Sequence, residues 1–331
     1  MKVPLLAIPA FLLATALTPV AGAQVPPPSL GLPIACEPGR TCEVQHHMDR
    51  DPGPGARDYR CGSKTYDGHT GLDIRVPDMA AQRRGVAVLA AAAGKVLRTR
   101  DGVLDRVVGQ GGLDPKDPQG CGNAVVIDHG GGWLTSYCHM AQGSVTVKPG
   151  DPVAAGQPLG KVGLSGLTEF PHVHVEVRRG GKVVDPFAPD MSNPAACSAQ
   201  AGLWNAATAA KLAYKAGAIL NAGFAEAQPT MVDVENGAVK PFSAASPWLI
   251  VYVRAITLLP GDETELVLKG ADGTVLAQVR RPPLARWRAQ DLQLVGKRRP
   301  PTGWARGTYT ADYRVWRDGK VALSRRLEVR L

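Results

Sequence analysis

The sequence of 331 residues is poor in aromatic side chains, which make up 5% of it, whereas it holds 38 glycines and 28 prolines. That combination argues against a protein built from long helices and favours short strands joined by many turns. The helical zinc-protease motif H-E-x-x-H is absent, which excludes that class of metalloprotease. Beyond the amino terminus, no apolar run approaches the ~20 residues that a membrane-spanning helix needs. We therefore predict no membrane span.

The amino-terminal residues have the features of a secretory signal peptide. Lys2 supplies a positive charge, Val3–Leu17 is apolar, and residues 21–23 form a small-residue cleavage site. The apolar run is too short to cross a bilayer, and no cysteine follows it closely enough for a lipid anchor. We predict cleavage after about Ala23 and a periplasmic or secreted protein.

Six cysteines, an even number, predict disulfides in an exported chain. The strand-like runs Ala124–Asp128 and Trp133–His139 flank a glycine-rich turn at residues 129–132. In a hairpin centred on this turn, Cys121 and Cys138 lie roughly opposite each other. The sequence does not choose among the three possible pairings of the other four: Cys36, Cys42, Cys61 and Cys197.

Positive charge exceeds negative charge by 9, and most of the excess lies in the last third of the chain. Residues 228–331 hold 17 Lys and Arg against 10 Asp and Glu. A basic balance predicts an anionic partner, and outside the cytoplasm we expect anionic envelope polymers. No basic run or nucleic-acid motif is present, so no nucleic acid is predicted. The alternative is a solvated basic face without a specific partner.

The chain divides by composition into five segments. Residues 199–225 are rich in Ala, Leu, Lys and Glu at roughly helical spacing, which predicts a short helical connector. After Pro229, about seven strand-like runs predict an immunoglobulin-like β-sandwich. The predicted segments are a signal peptide (1–23), a Cys-rich lead-in (24–65), a β domain (66–190), the connector (199–227) and the sandwich (228–331), with a long surface loop at 98–120.

Two histidines alternate with valines in the run from Pro171 to Val177. Strand periodicity places His172, His174 and Glu176 on one face and the valines on the other. Neutral imidazole is a common zinc ligand, so the pair predicts a functional face. An outer or solvent-facing role is expected for Glu176.

A second cluster is His69-x3-Asp73, with glycines at 68 and 71 that argue against a helix. A turn that enters a strand can bring both side chains to one metal ion. Two His, one Asp and an open water position form a plausible catalytic zinc site. The third piece is the run 133–139, in which Trp133, Thr135, Tyr137 and His139 are expected to share a face. His139 could ligate the metal or polarise its water.

The three pieces together resemble peptidase family M23, the zinc metallopeptidases of the lysostaphin and LytM type. Its H-x(3)-D motif, isolated histidine after a strand and H-x-H motif are matched by His69-x3-Asp73, His139 and His172-Val-His174. The resemblance covers about residues 66–190. Further matching text lies at residues 121–130, 147–151, 156–160 and 184–187.

The resemblance implies an antiparallel β catalytic domain with one zinc ion held by His69, Asp73 and His174. It also implies that His139 and His172 lie beside the metal and handle protons; which of them is the general base stays open. The implied activity is cleavage of peptide bonds in peptidoglycan cross-links. D-alanine–diaminopimelate bonds are the first candidate, and glycine bridges are the second. The alternative is a non-catalytic protein that binds wall peptides or activates another wall hydrolase.

Three further histidines lie outside these motifs. His46 and His47 belong to the Cys-rich lead-in, and His129 belongs to the hairpin turn. We expect all three to be structural or exposed.

Overall fold

The computed structural model describes residues 25–107, 120–194, 197 and 202–331. The predicted signal peptide lies outside the described residues, as does much of the predicted loop at 98–120. Within the described ranges, no helix is long and apolar enough to cross a membrane.

The described part of the chain is mainly β, as predicted. Its helices are α1 (Met79–Arg84), α2 (Ala206–Lys211) and α3 (Met231–Asn236). Its strands are β1 (Glu43–His46), β2 (Leu72–Arg75), β3 (Ala87–Leu89), β4 (Gly94–Arg100), β5 (Asn123–Asp128), β6 (Trp133–Met140), β7 (Pro152–Val153), β8 (Pro158–Lys161), β9 (His172–Arg179), β10 (Lys182–Val184), β11 (Ala218–Ala225), β12 (Trp248–Leu258), β13 (Glu263–Lys269), β14 (Val275–Arg281), β15 (Arg288–Arg298), β16 (Thr308–Arg317) and β17 (Lys320–Arg330).

An antiparallel sheet of eight strands forms the first domain. Its order is β1-β2-β9-β6-β5-β4-β7. Strand β10 pairs with the carboxy-terminal end of β9, beyond the part that pairs with β2. Strands β3 and β8 form a separate two-stranded sheet. Along β9, Val173, Val175 and Val177 are at most 1% exposed and pack into the core. The intervening histidines therefore project from the opposite face, as the period of two predicts.

A three-stranded sheet, β11-β12-β15, and a four-stranded sheet, β14-β13-β16-β17, form the carboxy-terminal part. Both sheets contribute to one core, in which Leu249 and Val251 of β12 meet Leu266 of β13 and Tyr313 of β16. This is the predicted sandwich of immunoglobulin-like type.

The connector differs from the prediction. Only α2 is helical between 202 and 227, because residues 218–225 form β11 and pair with β12. Small residues favour a helix here, but burial of Ala218 and Ile219 against the sandwich outweighs that weak preference.

Three disulfides are formed, and they include Cys121–Cys138, the pair expected from the hairpin. The other two are Cys36–Cys42 and Cys61–Cys197.

A buried ionic network joins the two β domains. Arg75 of β2 donates two hydrogen bonds of 2.9 Å from Nη2 to the carboxylate of Glu235 on α3. Arg254 of β12 donates to the same carboxylate and to the Pro77 carbonyl. Both arginines are fully buried, and burial lowers the pKa of Arg75 to about 10 although Glu235 opposes that shift. One carboxylate therefore compensates two buried cations.

Replacing Glu235 with alanine should lower the free energy of unfolding by about 3–5 kcal/mol, because it leaves buried guanidinium groups without their counter-ion. Chemical denaturation measures the loss. Glu263→Ala is the matched control, since its pair with Arg280 is partly exposed, at 33% and 56% of the two side chains, and should contribute about 1 kcal/mol or less. Equal losses in the two variants would contradict the importance of burial.

Candidate metal centre

Three predicted side chains converge where β2 meets β9. Asp73 lies opposite His174 in the antiparallel register, and His69 reaches them from the turn that precedes β2. His69 Nε2 lies 3.1 Å from Asp73 Oδ1 and 3.1 Å from His174 Nδ1. Asp73 Oδ1 and His174 Nδ1 are 2.9 Å apart. One ligand atom from each residue therefore lies within 4.8 Å of the others. Two imidazole nitrogens and one carboxylate oxygen form a donor set that suits zinc.

Gly71 permits this convergence. A Cβ at that position would lie 2.5 Å from the Val175 carbonyl oxygen and 2.7 Å from His174 Nε2. Any side chain would push the turn away from β9. Gly71 therefore has a second effect besides preventing a helix, because its missing side chain leaves room for the His174 ring.

The last residue of β1 and the residue that follows it contact the ligands from outside the triad. His69 Nδ1 donates a hydrogen bond of 2.6 Å to the His47 carbonyl, which leaves His69 Nε2 facing inward. His46 Nδ1 lies 3.1 Å from Asp73 Oδ2. Both His46 and His47 are buried, so they are not exposed residues. No motif spacing marks His46, because only the pairing of β1 with β2 brings it to the centre.

The two predicted proton-handling residues share one hydrogen-bonding arrangement. His139 Nδ1 donates 2.9 Å to the Ser165 carbonyl, and His172 Nδ1 donates 2.9 Å to the Phe170 carbonyl. The rings lie 4.6 Å apart between centroids, and His172 Nε2 is 3.5 Å from Asp73 Oδ1. In each ring the proton on Nδ1 leaves a lone pair on Nε2.

His139 leaves the alternation of β6, which corrects the expectation that it shares a face with Thr135 and Tyr137. Those two side chains are fully buried in the core, whereas Ser136, Cys138 and His139 line the groove above the sheet. His139 has a left-handed backbone with φ of 59°, which turns its ring to the groove side. Such a conformation costs a residue other than glycine about 1–3 kcal/mol.

Contacts next to His139 hold this conformation in place. The His139 amide donates 2.9 Å to the Cys121 carbonyl, and Cys121 is joined by the disulfide to Cys138. Residues on both sides of the strained position are therefore fixed to the neighbouring segment.

Burial and mutual contact set the charges in the centre. Burial raises the pKa of Asp73, but the facing imidazoles of His69 and His172 lower it by more, so its pKa is well below the ordinary value. Burial lowers the pKa of His139 well below that of a free imidazole, and His172 and His174 add to the shift. Asp73 is therefore ionised at neutral pH and His139 is neutral.

An open groove of about 820 Å³ runs from the centre across the sheet. Its far end carries Arg98 and Arg100 of β4, and its floor carries Glu176, which accepts hydrogen bonds from Arg178. Glu176 is thus a groove residue and lies outside the converging triad. His129 lies apart, where it bonds the Ala93 carbonyl and Thr135 as a structural residue.

Comparison with known proteins places this site in a family. Residues 67–186 match the family described as peptidase family M23. The DD-carboxypeptidase/endopeptidase Mpg of Neisseria meningitidis is 32% identical over 131 residues, which are 38% of this chain and 24% of Mpg. The murein hydrolase activator EnvC of Escherichia coli is 35% identical over 94 residues, which are 28% of this chain and 22% of EnvC. The chain thus spans about a quarter of the length of these curated relatives.

Among solved structures, a catalytic domain of the prophage-encoded M23 protein EnpA from Enterococcus faecalis is similar. It is 26% identical, covers 50% of this chain and 97% of its own, and superposes with a TM-score of 0.32. The family match spans the converging residues, from His69 and Asp73 through His139 to His172 and His174. Residues 67–186 therefore match the M23 peptidase family, as the motifs of the sequence predicted.

Proposed function

We propose that the protein is an exported zinc-dependent endopeptidase that hydrolyses peptide bonds in peptidoglycan cross-links. The observation that carries this proposal is the convergence of three ligand atoms within 4.8 Å, beside two histidines whose Nδ1 atoms are each bonded to a backbone carbonyl. A protein that binds wall peptides or a partner without cleaving them needs neither feature.

The residues fit a zinc ion through His69 Nε2, Asp73 Oδ1 and His174 Nδ1, the three atoms that face one another. A bound zinc ion supplies Lewis acidity and lowers the pKa of a coordinated water toward about 7. Three protein ligands and one open position are typical of catalytic zinc, whereas structural zinc sites use four protein ligands.

His139 and His172 are the proposed proton-handling residues. Each is held by a carbonyl at Nδ1, so each can accept a proton at Nε2. The proton released by the attacking water moves to one of these nitrogens and then to the leaving amine. Burial lowers the pKa of His139, so its Nε2 is unprotonated at neutral pH, as the role of proton acceptor requires.

The groove supports a peptide substrate with free carboxylates. Within the described ranges, Arg98 and Arg100 have no carboxylate partner, and they lie at the groove end away from the triad. Strands β9, β6, β5 and β4 are adjacent in the sheet, and three steps of ~4.8 Å separate the outer two. That span of about 14 Å matches roughly four residues of extended peptide, so a stem-peptide carboxylate can reach these arginines.

Export is supported by the pairing of all six cysteines in disulfides, because such bonds persist in oxidising compartments. A periplasmic or secreted location and the signal peptide at 1–23 remain proposals. Nothing supports the predicted anionic polymer partner of the carboxy-terminal sandwich beyond its charge.

The second candidate is activation of another wall hydrolase, favoured by the similarity to the activator EnvC. It requires a groove that binds a partner or wall peptide without cleaving it. The presence of both ligand and proton-handling residues favours hydrolysis.

Digestion of purified peptidoglycan sacculi by the protein without residues 1–23 tests the proposal. We expect zinc to support release of muropeptides cut in their peptide cross-links, and a chelator to abolish the release. Mass spectrometry of the products identifies the bond. Intact cross-links in the presence of bound zinc would contradict the endopeptidase and favour the activator, which should instead stimulate a separate wall hydrolase.

The two histidines of β9 should separate in their effects. His174→Ala removes a proposed ligand, so the purified variant should lose both its zinc and its activity. His172→Ala should keep most of its zinc but cut sacculi about 10²–10⁴-fold more slowly, because a proton-transfer group is lost. Metal content after dialysis and the rate of muropeptide release measure the two effects.

His129→Ala is the matched control, since among the described residues that ring bonds Ala93 and Thr135 alone, and it should change neither quantity. If His172→Ala loses zinc as readily as His174→Ala, the division of roles between the two residues is wrong.

A further inference from the structure

Strand β1 lies outside the residues that match the family, which begin at 67. It nevertheless forms the edge of the large sheet beside β2, with His46 opposite Asp73 and Val44 opposite Ile74. The register shifts between Val44 and His46. This segment therefore delivers His46 to the metal strand from a part of the chain that the family motifs do not include.

The His46 ring is held in a defined place. It is 9% exposed, and its neighbours are the rings of Tyr66 at 5.2 Å and Phe170 at 6.0 Å between centroids. Its Nδ1 lies 3.1 Å from Asp73 Oδ2. A carboxylate that ligates a metal ion carries no proton and can only accept, so in the proposed zinc site the hydrogen of this bond lies on His46 Nδ1.

The two oxygens of Asp73 therefore have separate tasks. Oδ1 faces His69 and His174, whereas Oδ2 faces His46. His46 contributes no atom to the converging triad. Carboxylates that ligate a metal are oriented by such outer hydrogen bonds, and loss of an outer partner typically costs 10–100-fold in metal affinity.

We propose that His46 is a positioning residue for the metal centre: its Nδ1–H holds Asp73 Oδ2 so that Oδ1 alone is presented to zinc. The inference rests on the proposed zinc function. Holding one oxygen keeps Asp73 from chelating through both, which preserves the open position that a water needs.

Two variants with the same number of side-chain heavy atoms test the hydrogen bond. Asparagine carries an N–H donor close to the place of Nδ1, whereas leucine has the same branching without a donor. We expect His46→Leu to weaken zinc binding by about 10–100-fold and His46→Asn to restore most of the affinity. Competition with a chelator of known zinc affinity measures each constant, and thermal unfolding of the metal-free proteins checks the fold.

His129→Leu is the control, because it removes a ring of the same type that does not touch Asp73. It should bind zinc as the unaltered protein does. A folded His46→Leu variant with unchanged zinc affinity would overturn the proposal, as would an equal loss in His46→Asn and His46→Leu.

Nitrogen-15 NMR of the unaltered, zinc-loaded protein gives a second test that does not depend on a variant folding. The His46 ring should carry its proton on Nδ1. A proton on Nε2 alone, or a His46 nitrogen bound to the metal as a fourth protein ligand, would overturn the positioning role. If the protein binds zinc but does not cleave sacculi, only the endopeptidase proposal fails. The zinc affinities of the variants still test the positioning role of His46.

Discussion

The pairing of β2 with β9 is the constraint on which the candidate site depends. Its register sets Asp73 opposite His174 and Arg75 opposite His172, while Ile74 faces the core side of the sheet. A shift of one residue would turn every side chain of one strand to the other face. The valines of β9 prevent such a shift, because it would move them out of the core. Packing energy on one face of the sheet therefore fixes the chemistry on the other.

The same strand gives its two histidines different surroundings. His172 lies at the start of β9, where the Phe170 carbonyl and Thr168 occupy its Nδ1, and its Nε2 lies 3.5 Å from Asp73 Oδ1. His174 lies two residues further along, where its Nδ1 faces Asp73. Side-chain type and periodicity are identical for the two residues. What separates them is the partner of Nδ1, which is a backbone carbonyl for His172 and the Asp73 carboxylate for His174.

These observations also show which features a single sequence can predict. The face shared by His172 and His174 follows from a period of two, and the position of Cys121 opposite Cys138 follows from one hairpin turn. Both depend on residues close together in the chain. The groove-facing His139 could not be predicted in this way, because a left-handed residue breaks the alternation and no glycine marks it. His46 was missed because its contact with Asp73 depends on the pairing of two distant strands.

The carboxy-terminal sandwich was predicted as a fold from its turns and alternating strands, but its attachment to the metal strand was not. Arg75 lies two residues after Asp73, and its guanidinium lies 4.5 Å from the Phe170 ring centroid. It also bonds Glu235, which Arg254 of the sandwich shares. The contact chain runs from the sandwich through Arg75 to Phe170, whose carbonyl orients His172. A domain joined in this manner supports the strand that carries Asp73, whatever else its basic surface binds.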